Sequence, residues 1–155
     1  MNLRYLFIII ALMMPLQGCS VKEAAKRIVG TSTQTLQDKA SQDGISKAFH
    51  CSYEDCFEAI MRLGRYKPSA KPWVKPPEID EGVFDIFMSD LYASPPYIIV
   101  MGVEGSVNTT EVGIFFTRTS LETIRVDVSS LASTAKRTVA RIVFEELGTK
   151  FQVAE

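Results

Sequence analysis

Between Tyr66 and Pro77 the dipeptide Lys-Pro recurs every four residues, at Lys67-Pro68, Lys71-Pro72 and Lys75-Pro76, with Trp73 in the middle and a second proline at the end. Proline supplies no N–H and clashes with the preceding turn of a helix, so neither a central strand nor a helix can pass through this stretch. It is expected to be an extended strap that divides the folding information into two blocks, closed by the acidic Glu78, Asp80 and Glu81.

The first block runs from Ile45 to Gly64. Ile45 to Cys51 reads as a strand, Ser52 stands at an N-cap position and Asp55 follows three residues on as a variant capping box. Tyr53, Cys56, Phe57, Ile60 and Met61 then recur at i, i+3, i+4, i+7 and i+8, one face of a helix that Gly64 is placed to end. The second block alternates apolar and polar residues at Phe84–Met88, Val112–Phe116 and Ile124–Val128, with a denser run at Tyr97–Val103, and closes with a helical stripe of Ala135, Val139, Ile142, Val143 and Leu147 before Gly148. The turn-forming stretches 105–108 and 118–122 make an antiparallel meander the simplest assembly. The expected fold is α+β and two-layered: a four- to five-stranded antiparallel sheet with two helices on one face, in the order β-α-β-β-β-β-α over 45–148, and 149–155 as a tail.

Ahead of these blocks the chain has a different character. Arg4 is followed by a nearly unbroken apolar run from Tyr5 to Leu16. As a helix, those twelve residues would reach about 18 Å, short of a hydrocarbon core of about 30 Å, so a cleaved leader is expected rather than a spanning helix. The run ends in Leu16-Gln17-Gly18-Cys19, which resembles the bacterial lipobox although Gln17 stands where that motif usually has a small residue. The resemblance implies removal of residues 1–18, diacylglyceryl and acyl groups on Cys19, and, with Ser20 rather than Asp next, sorting to the outer membrane facing the periplasm. Palmitate on Cys19 and contact with the membrane through its acyl chains are therefore expected, and residues 19–44 are expected to be the lipidated N-terminus and a mobile tether with some helical character, at Val21 to Val29 and Thr33 to Gln42.

Cleavage there would leave 137 of the 155 residues, room for one domain, with sixteen basic and eighteen acidic side chains. That balance excludes broad electrostatic binding of nucleic acid. With Cys19 acylated, two cysteines remain. Cys51 and Cys56 occupy the N′ and N4 positions of the first helix, whose side chains meet in a hydrophobic staple, and an exported domain meets an oxidising compartment, so a disulfide is expected. Two buried thiols, or a metal or redox pair, are the alternatives.

The element order also resembles small bacterial lipoproteins and, more loosely, the helix-grip domains of lipoprotein subunits of the outer-membrane assembly machinery, through 110–116 and 125–131. It implies an accessory role in the envelope. No catalytic constellation accompanies it. His50 is the single histidine, too few ligands surround it for zinc, and no Gly-x-Ser-x-Gly elbow exists. No cofactor or metal is called for, and a non-catalytic protein that binds or positions another envelope component is expected. A domain that binds a small apolar ligand between sheet and last helix is the alternative. The strap is expected to be structural, with Trp73 tucked against the sheet; the alternative is a partner-binding edge, whose candidate residues are Tyr66, Lys67, Lys71, Trp73 and Lys75.

Overall fold

A computed structural model describes residues 33–66 and 82–154. Its elements are α1 (Thr33–Asp43), β1 (Ile45–His50), α2 (Tyr53–Met61), β2 (Gly64–Tyr66), β3 (Phe84–Asp90), β4 (Tyr97–Met101), β5 (Val112–Ser120), β6 (Thr123–Ser130) and α3 (Ser133–Lys150). The six strands form one mixed sheet in the order β1-β6-β5-β4-β3-β2. The expected meander is present as β3-β4-β5-β6, antiparallel throughout, and β1 joins it antiparallel to β6.

Period-2 alternation sorts the side chains. Ile45, Val128, Ile114 and Ile98 sit directly opposite one another across four strands and point to the inner face. There they meet Cys56 and Ile60 of α2 and Val139, Val143 and Leu147 of α3, all fully buried. Ring contacts at Phe57–Phe116, 5.5 Å, and Phe49–Phe144, 6.1 Å, lock the helices to β5 and β1. Both expected helices thus share one face of the sheet.

Three expectations about the elements need correcting. Residues 33–43 are not spacer: α1 packs across the opposite face of the sheet, with Leu36 fully buried against Ile99 and Phe115 and with Ala40, Met88 and Tyr97 around them. The described residues therefore form three helices and a third, partial layer. Gly64 does not cap α2; the helix stops at Met61 through Arg62 and Leu63, and Gly64 opens a sixth strand, β2, parallel to β3. A Cβ at Gly64 would collide with the side chain of Ile86, so the two strands approach only because it is missing. Gly148 does not end α3, which continues to Lys150.

The C-terminal residues also do more than trail. His50 donates its N–H to the Gln152 carbonyl and Ala154 donates to that of Ala48, both at 2.9 Å, so the last residues lie along the outer edge of β1. Lys136 of α3 donates to the Asp43 carbonyl at 2.6 Å and pairs with its carboxylate at 3.2 Å, which satisfies the carbonyl end of α1 and ties it to the body.

Candidate functional site

The start of α2 is built as its sequence suggests. Ser52 takes extended geometry, its Oγ accepts from the Asp55 N–H at 3.1 Å, and its hydroxyl donates to the Asp55 carboxylate at 2.8 Å. This fixes Cys51 and Cys56 on either side of the cap, with Cα atoms 6.0 Å apart and the sulfurs at disulfide distance, 1.96 Å. Strand end and first helical turn are joined at the sulfurs.

The same cap sets Tyr53 at the mouth of an open cleft of about 630 Å³, bordered by α2, by residues 91–96 between β3 and β4, and by the far end of β5, with Gln37 of α1 at its margin. β4 pairs with β5 only as far as Phe116, whose N–H reaches the Pro96 carbonyl at 3.0 Å. Pro96 has no N–H to return, and with Pro95 also lacking one the ladder stops there. β5 continues to Ser120, paired on its other side with β6 but, among the described residues, with no strand on the β4 side of 117–120. The hydroxyl of Tyr53 accepts the Arg118 N–H at 2.9 Å in place of a strand. Above that bond the Arg118 guanidinium lies 4.9 Å from the centre of the Tyr53 ring, and it has no ion-pair partner among the described residues. Tyr92, 73% exposed, stands in the 91–96 border, and Glu54 lines the α2 side.

A second polar group lies on the outer sheet face. Asp127, nearly buried, accepts from the Ser46 hydroxyl and pairs with the Arg125 guanidinium at 3.0 Å. His50 is exposed on the same face, its Nδ1 3.3 Å from the Thr123 hydroxyl. Ser46 and His50 are four steps apart in sequence, about 13 Å along β1, so Ser46, His50 and Asp127 do not meet as a relay. Arg125 and Ser46 supply the hydrogen bonds that the Asp127 side chain needs within the sheet.

Of the residues chosen from sequence, Cys51 and Cys56 are brought together. Cys19, Lys67, Lys71, Trp73 and Lys75 lie outside the described residues, as does the Tyr66 side chain, whose backbone belongs to β2. Asp85 is largely buried on β3 and pairs with Arg65 at 3.3 Å. Among the described residues no group of three or more metal-ligating side chains converges, and no helix is long and apolar enough to cross a membrane. The cleft was missed because its walls come from four separated segments. The paired prolines at 95 and 96, which stop one strand while its neighbour runs on, were the available signal.

Fold and cleft together define a small α+β domain with an open, polar-rimmed groove at one end of its sheet. No protein-family model, curated protein or solved structure matches this chain.

Proposed function

We propose that the protein is a lipid-anchored accessory domain of a bacterial envelope, attached through acyl chains on Cys19, facing the periplasm from the outer membrane, and that it binds or positions another envelope component without catalysis. The observation that carries this reading is the Cys51–Cys56 pair at bonding distance: such a bond persists in an oxidising compartment, and the remaining cysteine is the one that follows the apolar leader. Residues 20–32 would then bridge at most about 45 Å from bilayer to α1, which keeps the domain near the membrane surface. Binding of a partner is favoured over a small apolar ligand because Val139, Val143 and Leu147 fill the space between α3 and the sheet, whereas the groove at Tyr53 and Arg118 is open.

Metabolic labelling with palmitate tests the anchor. Label is expected on the wild-type chain and absent from Cys19→Ala, with the mature mass lacking residues 1–18; label surviving the substitution, or an intact leader, would refute it.

A further inference from the structure

Resting on that reading, we propose that the component recognised is an extended polypeptide segment carrying one carboxylate, which lies in the cleft as an added strand on residues 117–120 of β5.

Three features converge on this occupant. The first is the backbone. In an antiparallel sheet the N–H and C=O of one residue point to the same side, and Phe116 points its N–H toward β4. Arg118, two residues on, does the same, so its carbonyl faces the cleft beside the N–H that Tyr53 now satisfies. An incoming strand takes over the position that β4 relinquishes at Pro96, and a hydroxyl exchanges for a peptide carbonyl without leaving the N–H bare. The second is charge. Arg118 is held over the Tyr53 ring, pre-positioned and without a carboxylate of its own among the described residues, which is the arrangement that receives one from outside. Glu54 lines the same cleft, so a segment with a single acidic residue fits and a polyacidic one is repelled. The third is Tyr92, exposed on the 91–96 border of the same cleft, an amphipathic side chain of the kind that anchors interfaces.

The open edge is short. Side chains must supply most of the affinity, and sequence preference should be visible. The test pans a phage-displayed random heptapeptide library against the full chain in detergent. Expected are clones alternating β-branched or aromatic residues with polar ones, containing one Asp or Glu and no internal proline. The synthetic peptide of the best clone should bind at least tenfold more weakly to Arg118→Glu and to Tyr92→Ser, substitutions on separate exposed elements that circular dichroism should show folded, and more weakly again when its acid is replaced by the amide. Its addition should slow amide exchange at Arg118, whose N–H faces the cleft. Absence of any enriched clone, enrichment of proline-rich or polyacidic sequences, undiminished binding to Arg118→Glu, or unchanged exchange at Arg118 would each overturn the proposal. Because peptide binding is read on isolated protein, its failure leaves the palmitate result untouched, and the reverse holds too.

Discussion

Single positions carry several of the decisive constraints. At Gly113 a Cβ would stand 2.6 Å from the ring of Phe115 and 3.3 Å from the Cβ of Leu36, so the close approach of α1 to β5 depends on a hydrogen there. Gly113→Ala is expected to destabilise by about 1–3 kcal/mol, because ring and helix must shift together, and denaturant unfolding measures it. Gly148 is the opposite case. It lies inside α3, exposed, with nothing within 4 Å of an added Cβ, so Gly148→Ala should raise stability by about 0.5–1 kcal/mol through helix propensity alone, read as a higher Tm. For the sulfurs, the enclosed loop is short, so the cross-link's entropic contribution should be no more than about 2 kcal/mol, read as the difference in unfolding free energy between oxidised and reduced protein; a denatured, unreduced sample of the wild type should show no reactive thiol at 51 or 56.

At the scale of elements, α1 is the marginal one. Its eleven residues are too few to be stable alone, its large buried apolar side chain is Leu36, and its far end depends on Lys136. Leu36→Ala should release the helix rather than unfold the domain, seen as fast amide exchange confined to 33–43 and uncovering of Phe115. Acid should act at the same place. The hydrogen bond from Lys136 holds the Asp43 carboxyl below its ordinary value of 3.8, with Lys136 and Lys39 adding charge. A carboxyl lowered in the folded state contributes stability that is fully present above its unfolded pKa and fades as pH falls through the folded one. Docking of α1 should therefore weaken below about pH 4, and Asp43→Asn should flatten that dependence when helix protection is followed by exchange. These contrasts also explain what could be read from sequence. Strands such as Ile124–Val128 and the helices of 53–61 and 133–147 announce themselves because one face is apolar at the right period. α1 offers only Leu36 and Ala40, and β2 is three residues long, below the length at which alternation carries information. The groove was illegible for a different reason: it is defined by where β4 stops relative to β5, a relation between strands and not a property of either.

For the molecule as a whole, sheet edges set the risks. Residues 152–154 hydrogen-bond along β1 and close an edge that would otherwise be open. Removing 151–155 should leave the core folded while promoting self-association through β1, detectable as a concentration-dependent rise in sedimentation coefficient; a strictly monomeric truncation would show that the tail guards nothing.

That arrangement has a bearing on the order of assembly. Both neighbours of β1, β6 on one side and the last residues on the other, come from the final third of the polypeptide. β1 thus precedes both of its hydrogen-bonding neighbours in the chain, and its pairing must wait until residues 123–130 and 152–154 have been made.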